Sequence, residues 1–182
     1  MNILLIDNFF YRRGGSETVF FNTGELLQKQ GHNVFFFSQE RKENLPCEES
    51  VYFPQATEDK NLIGRTVSYF YNRDAAKKLE LFLQKQPIDL AHIHLIWGGL
   101  SPSILCVLRR HRIPIVHTAH DYRMICPASA FQDGTGKLCE KCRNGFRNCV
   151  ENRCAKGKFS ESVVMAAEMW FRNCVFPPEK ML

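Results

Sequence analysis

Met1-Asn2-Ile3-Leu4-Leu5-Ile6-Asp7-Asn8, followed by Tyr11-Arg12-Arg13-Gly14-Gly15-Ser16-Glu17, is the stretch that decides the fold. Asn2 to Ile6 is a short apolar run of the kind that forms a strand buried on both faces of a parallel sheet. Gly14 and Gly15 allow a tight bend and let a ligand approach the backbone closely. Ser16 is placed to cap the helix that follows, so that free N–H groups and the positive end of the helix dipole face the loop. A strand, a glycine turn and a helix N-terminus together make a seat for a phosphate or diphosphate. The three-glycine spacing of a dinucleotide-binding turn is missing. An ordinary βα turn that uses glycine only for its geometry fits these residues equally well.

Outward from that stretch, strand-like and helix-like segments alternate. Thr18 to Gln30 carries Val19, Phe20, Leu26 and Leu27 at helical spacing, and Gly31 stands where a C-terminal cap belongs. Val34 to Phe37 reads as a second buried strand. Residues 39–60, broken by Pro46 and Pro54, read as a connection with one edge strand near Val51 to Phe53. Ile63, Val67, Phe70, Tyr71, Leu79, Phe82 and Leu83 fit one or two amphipathic helices, which Pro87 ends. Leu90 to Leu95 is the next strand, Ser101-Pro102 opens a helix with serine as its cap, and Ile113 to Thr118 is a further strand. The repeated β-α-β succession predicts an α/β fold with a mostly parallel sheet between helices. Such sheets bind ligands at the carboxyl ends of their strands, near the switch in strand order. Residues 123–158 then hold five cysteines and four glycines with little periodicity, which predicts a long functional loop or small insertion. Phe159 to Cys174 returns to helix, with Val163, Val164, Ala167, Trp170 and Phe171 as its apolar stripe, and Pro177-Pro178 stops it.

The size of the chain, 182 residues, suits one good core, and 45% apolar residues with 15 phenylalanines exclude disorder. A net charge of +5 is compatible with an anionic small molecule, a membrane surface or no charged partner at all, and no Lys/Arg tract suggests nucleic acid. Met1 leads straight into a strand-like run with no basic leader, and no apolar stretch is long enough to span a bilayer. The expected address is the cytoplasm, where cysteines are thiols or metal ligands rather than disulfides.

Three constellations carry chemistry. His120-Asp121-Tyr122 follows the strand ending at Thr118, and a histidine at a strand's carboxyl end can donate to a ligand oxygen while the neighbouring carboxylate orients its ring. His92 and His94, two apart on a strand, share a face; His94 is expected near the cleft, with Trp97 lining it, and His92 in the core. The third is Cys126-x12-Cys139-x2-Cys142-x6-Cys149-x4-Cys154. The Cys139/Cys142 spacing lets two thiolates share one tetrahedral ion, and two of Cys126, Cys149 and Cys154 would close a four-sulfur site. Structural zinc leads, an iron–sulfur cluster comes second, and unliganded thiols or a redox pair at Cys139 and Cys142 remain the alternative.

The succession of Gly14-Gly15-Ser16-Glu17, a helix ending at Gly31-His32 before Val34, Ala91-His92-Ile93-His94, and Ile115-Val116-His117-Thr118-Ala119-His120-Asp121 resembles the N-terminal domain of family 4 glycosyltransferases, which are retaining enzymes of the GT-B fold. His120-Asp121-Tyr122 leading to Cys126-Pro127 and then Cys139 and Cys142 is similar to a cysteine-bearing branch of that family. The resemblance covers nearly the whole chain. It implies one Rossmann-like, three-layer half of a two-domain enzyme, spanning residues 1–182 with a cysteine-rich insertion at about 123–158. It implies that this half binds a saccharide or lipid-linked acceptor, with Glu17, His94, Trp97 and Asp121 in the acceptor cleft. Gly14, Gly15 and Ser16 would touch the diphosphate of a nucleotide-sugar donor, and His120 would sit beside the donor sugar as the catalytic residue. No catalytic metal is expected, which leaves any zinc a structural role.

In that family most nucleotide contacts come from a second Rossmann domain with paired glutamates, and none of that follows Leu182. The missing C-terminal domain is therefore an implied partner, and little or no transfer is expected from this chain alone, since charge on the leaving diphosphate must be neutralised. Bacterial relatives build cell-surface polysaccharides, so the resemblance also implies peripheral work at the inner membrane face. A second reading is a non-catalytic, metal-stapled Rossmann-like binding module. A third, a small hydrolase or redox protein using His120 or Cys139/Cys142, lacks a nucleophile-elbow motif.

Overall fold

The computed structural model describes residues 1–175. The expected helix stop at Pro177-Pro178 lies outside them. The chain divides into two compact units, Met1–Thr118 and a second that begins at Ala119.

The first unit is an all-parallel sheet of four strands: β1 (Asn2–Ile6), β2 (Asn33–Phe37), β3 (Leu90–Ile93) and β4 (Ile115–His117), in the order β2-β1-β3-β4. Pairing is in register, with Leu4 beside Phe35 on one side and Ala91 on the other. β1 is central, which is why its side chains from Ile3 to Ile6 are buried without alternation. The connections are α1 (Gly15–Lys29), α2 (Leu62–Phe70), α3 (Arg73–Leu83) and α4 (Ser103–Arg110). Right-handed crossovers put α1 on one face and α3 and α4 on the other, because the chain reverses direction across the sheet after β2. α3 and α4 accordingly pack together. The fold is the expected α/β, Rossmann-like arrangement.

Several local expectations are corrected. The stretch Val51 to Phe53 is not an edge strand; Glu48–Tyr52 forms a 3-10 turn and only an isolated bridge, Glu40 to Gln55, adds strand pairing there. α1 begins two residues earlier than a Ser16 cap requires: Gly14 is the N-cap and no side chain caps the helix, so Ser16 lies inside the first turn. The buried face of α1 is Glu17, Phe20, Phe21 and Gly24, whereas Val19 and Leu26 face solvent. Gly24 is there for space, since a Cβ would press on Leu5 and Phe36 at 3.2 Å. Gly31, at φ +84°, is the left-handed residue that follows α1, as its sequence position predicts. Pro102 rather than Ser101 precedes α4; the Ser101 hydroxyl instead accepts from the backbone N–H groups of Asn72 and Ser103.

One glycine ties the loops together. A Cβ on Gly99 would stand well inside contact distance of Asn8 Oδ1 and Gln39 Oε1, and Asn8 is itself fixed by bonds from Leu100 N–H and to the Trp97 carbonyl. Gly99→Ala is expected to lower stability by about 2–3 kcal/mol, seen as a shifted urea midpoint with unchanged slope. An unshifted midpoint would mean that these loops are not packed as described.

The second unit holds α5 (Arg147–Glu151) and α6 (Phe159–Val175), which pack against each other, and a hairpin-like turn bridged from Gln132 to Leu138. Asp133 organises that turn, its Oδ1 accepting from Thr135 N–H, Thr135 O–H and Lys137 N–H. α6 is not buried on its apolar stripe. Val163, Val164, Ala167 and Trp170 are exposed, and the helix buries Ser162, Ala166, Glu168, Met169 and Arg172 instead. The reason is a polar interior: Arg123 pairs with Glu168 at 3.2 Å, and Arg172 Nη2 donates to the Arg123 carbonyl at 2.8 Å. Among the described residues no helix is long and apolar enough to cross a membrane.

Candidate functional site

In the first unit the carboxyl ends of β1 and β3 are neighbours at the point where strand order reverses, the position at which such sheets take ligands. The chain leaving β1 is held firmly. Phe10 inserts its ring among Phe20, Phe21, Phe36 and Phe53, with centroids 5.1–6.3 Å away. Asn8 Nδ2 donates to the Trp97 carbonyl at 3.0 Å, joining this loop to the one that leaves β3. Anchored on both sides, the loop delivers Gly14 and Gly15 to the surface at the start of α1.

The turn is open. Gly14 and Gly15 are both exposed, and a Cβ on Gly15 would meet nothing within 4 Å. Gly14 has φ −160°, extended backbone that any residue adopts. Gly15 is therefore not demanded by the fold's own packing, whereas a Cβ on Gly14 would press on the buried Glu17 Oε2 at 3.3 Å. The first intrahelical bond of α1 is Thr18 N–H to the Gly14 carbonyl, so the N–H groups before Thr18 have no carbonyl within the helix to serve. Together they make a donor-rich end with the positive helix dipole behind it. Arg13, immediately before the glycines, lies over the Phe9 ring at 4.5 Å, and Arg41 lies over the same ring at 4.6 Å. Arg12 pairs with Glu25 at 3.2 Å.

Beneath the turn are two buried carboxyl groups. Glu17, in the first turn of α1, is 3% exposed, and Asp7, just past β1, is 0% exposed. Asp7 Oδ1 accepts from Phe9 N–H at 2.9 Å and Oδ2 from Leu95 N–H at 3.3 Å. Burial pushes Asp7 up to about 7, the Phe9 N–H bond opposes this, and the nearby Glu17 charge adds to it. Asp7 and Asn8 escaped the sequence reading, as did Arg13. Their signal was position: a carboxylate and an amide straight after an apolar run, and a basic pair straight before Gly14.

Gly14, Gly15, Ser16, Glu17, His94 and Trp97 all belong to the β1 and β3 ends of this unit. His94, expected near the cleft, is instead fully buried, its ring edge-on to Phe20 at 5.4 Å and 4.6 Å from the ring of His92, expected in the core and the more exposed of the two. His92 is half-buried and shares a 2.8 Å hydrogen bond with the Thr118 hydroxyl. Trp97 is half-exposed, edge-on to His117 at 6.5 Å.

His120 and Asp121 open the second unit. His120 is half-exposed, and Asp121 Oδ1 accepts from Arg123 N–H at 2.8 Å, fixing the turn that follows. Farther on, Cys126, Cys139, Cys142, Cys149 and Cys154 all line one hollow of about 480 Å³, together with Met124, Ile125, Phe131, Phe146 and Met169. Burial pushes the Cys149 thiol up to about 12, and the Cys154, Cys142 and Cys126 sulfurs add to the rise. Cys142 and Cys154 are raised too, first by burial and then by their neighbouring sulfurs. Among the described residues no group of three or more His, Cys, Asp and Glu side chains is placed, as it stands, to hold a metal ion. The five sulfurs share a hollow without being drawn to one point.

Comparison with known proteins adds the lineage. The model of Glycosyltransferase Family 4 matches residues 13–146, from beside the glycine turn to beyond Cys142. An uncharacterized 42.6 kDa protein in a cps region of Klebsiella pneumoniae is 25% identical over 145 residues, which cover 70% of this chain and 38% of that protein. The aligned part of the chain thus spans well under half the length of that relative. No solved structure matches. With a family match over more than half of the sequence laid on a four-stranded parallel sheet, the chain belongs to glycosyltransferase family 4, as its N-terminal domain.

Proposed function

We propose that this chain is the acceptor-binding half of a retaining enzyme that moves a sugar from a nucleotide-sugar to a saccharide or lipid-linked acceptor. The observation that carries the reading is the open glycine turn at the β1 carboxyl end, where Gly15 has no structural reason to lack a side chain. A diphosphate oxygen approaching the N–H groups of Gly15 and Ser16 supplies that reason. Arg13 adds positive charge at the rim. Glu17, Trp97 and His94 would shape the acceptor side, with Asp121 turning the backbone that carries His120. His120 would donate a hydrogen bond beside the donor sugar. The nucleotide itself would be held by a second α/β domain, and without that domain transfer should be negligible, because the leaving diphosphate keeps too much uncompensated charge. The transfer, as the family resemblance implies, uses no catalytic metal. A relative in a cps region supports a growing polysaccharide as acceptor. A lipid-linked acceptor would place the reaction at the inner membrane face, with which a net charge of +5 is compatible.

The test works on the chain itself. Inorganic pyrophosphate, UDP and GDP are titrated while backbone amide resonances are followed. The Gly14, Gly15 and Ser16 amides are expected to shift first. Gly15→Ala is expected to weaken pyrophosphate binding at least about tenfold, by blocking close approach, while leaving the melting temperature equal or higher, since alanine suits a helix by up to about 1 kcal/mol. Shifts confined to other amides, or unchanged affinity in Gly15→Ala, would remove the diphosphate from this turn.

A further inference from the structure

We propose that four of Cys126, Cys139, Cys142, Cys149 and Cys154 bind one zinc ion as thiolates, and that this ion is the structural core of the second unit. The first ground is what the unit otherwise lacks. From Ala119 on, its buried apolar side chains among the described residues are Cys126, Pro127, Cys149, Ala155, Ala166 and Met169. No leucine, isoleucine, valine or phenylalanine among the described residues of this unit is buried. So small an apolar interior does not offset the chain entropy of ordering a segment of this length, and such segments are ordinarily held by disulfides or a metal.

The second ground is that the backbone already frames the hollow. Cys139 N–H donates to the Phe131 carbonyl at 2.7 Å, at the end of the hairpin-like turn. Asn148 Nδ2 donates to the Lys141 carbonyl at 3.0 Å, tying the Cys139–Cys142 turn to α5, which carries Cys149. Gly134 N–H reaches the Asn152 carbonyl at 2.9 Å, and Cys154 N–H returns to the Cys149 carbonyl at 3.0 Å. Cys126 N–H donates to the Tyr122 carbonyl at 2.8 Å. Each cysteine is thus on a pinned turn or helix end facing the same space. Backbone strain points the same way: Phe131 and Arg153 both hold left-handed φ, at +51° and +47°, next to these bonds. Non-glycine residues keep such conformations only where the surroundings over-determine them.

The third ground is chemistry. Two thiolates separated by two residues, joined by two more from a short helix and its end, are the donor set of closed, tetrahedral zinc sites. On binding, four S–H bonds break and four Zn–S bonds form. The four protons go to solvent, and no electrons move. The resulting charge of two minus is met by Arg143 at the edge of the hollow, with Lys137, Lys141, Arg147 and Arg153 close to the cysteines in sequence. Rotation of cysteine side chains on a fixed frame is what binding must accomplish. The ion would also anchor the Tyr122–Cys126 turn just after His120, a consequence that rests on the transferase reading, whereas the site itself does not.

The experiment is metal analysis of the full chain purified without added metal. One equivalent of zinc is expected, released by a thiol-blocking mercurial. Cobalt(II) added to stripped chain is expected to give the intense thiolate-to-metal absorption of tetrahedral sulfur coordination, with protons released. Among the five single Cys→Ser variants, four should lose metal and one should keep it, identifying the ligands. If the variants fail to fold, the cobalt spectrum of the unaltered chain still decides. Less than half an equivalent of any transition metal together with five titratable thiols, disulfides found by mass spectrometry, or iron with inorganic sulfide would each overturn the zinc assignment.

Discussion

Replacing His120 by alanine, in a polypeptide carrying both halves of the enzyme, is expected to lower the transfer rate about 100-fold while the fold survives. The argument begins with burial. His120 is half-exposed, in a bend rather than in a strand or helix, and contributes no side chain to either unit's apolar core. Truncating such a residue changes stability by less than about 1 kcal/mol. Its effect on rate comes from the bond it would donate beside the donor sugar as charge moves onto the diphosphate. Loss of one such donor in a water-excluded site typically costs about 2.7–4 kcal/mol of the barrier. The fall should appear in kcat, with KM for the donor changed less than about threefold, because a bond that strengthens in the transition state is nearly invisible in the ground state. His120→Gln separates the two roles open to an imidazole. An amide keeps an N–H donor and no titratable proton, so recovery of about tenfold over alanine would assign hydrogen bonding, and no recovery would assign proton transfer. Unimpaired turnover in His120→Ala would take this histidine out of the reaction.

How much of this was legible beforehand depends on the kind of signal. β1 was plain because a central parallel strand is apolar on both faces, and no periodicity has to be interpreted. The left-handed Gly31 was plain for a similar local reason: few residues other than glycine stop a helix that way. Helix faces were harder. α1, α2 and α6 each carry more apolar residues than their buried sides use, so counting apolar positions selected Val19 and Leu26, Ile63 and Val67, and Val163, Val164 and Trp170, all of which are exposed. In α6 the buried side is organised by Arg123, Glu168 and Arg172, and an ion pair formed across 45 residues of sequence leaves no periodic trace. Ser16 misled for another reason. Gly14 can act as an N-cap without a side chain, which moves the helix start two residues toward the N-terminus. The cysteine spacing named a candidate set, but the convergence of all five on one hollow is a property of the turns at Asp133, Lys141 and Arg153, and spacing alone does not contain it.

Asp7 carries the second large effect, and its sign runs against the usual carboxylate. In the unfolded chain Asp7 ionises at the ordinary 3.8, whereas in the folded unit it keeps its proton to about 7. Between those values the folded state binds more protons than the unfolded, so stability falls as pH rises through the window and stays low above it. A difference of about three units corresponds to about 4 kcal/mol. Asp7→Asn removes the titration. Its amide oxygen can still accept from Phe9 N–H, but its NH2 then faces Leu95 N–H, which costs about 1 kcal/mol at every pH. The variant is therefore expected to be less stable than the natural chain near pH 3 and more stable near pH 8, with the two urea-midpoint profiles crossing between. Comparing the two chains cancels the titrating groups that do not interact with Asp7. The same proton matters to the glycine turn above it. While Asp7 is neutral, Glu17 is the one acidic neighbour beneath a seat meant for a diphosphate; once Asp7 ionises, a second negative charge is buried there. Pyrophosphate affinity in the natural chain should then fall relative to that of Asp7→Asn as pH passes about 7, the ligand's own ionisation being common to both. Parallel stability profiles in the two chains would show that Asp7 does not titrate in this window, and the charge argument beneath the turn would go with it.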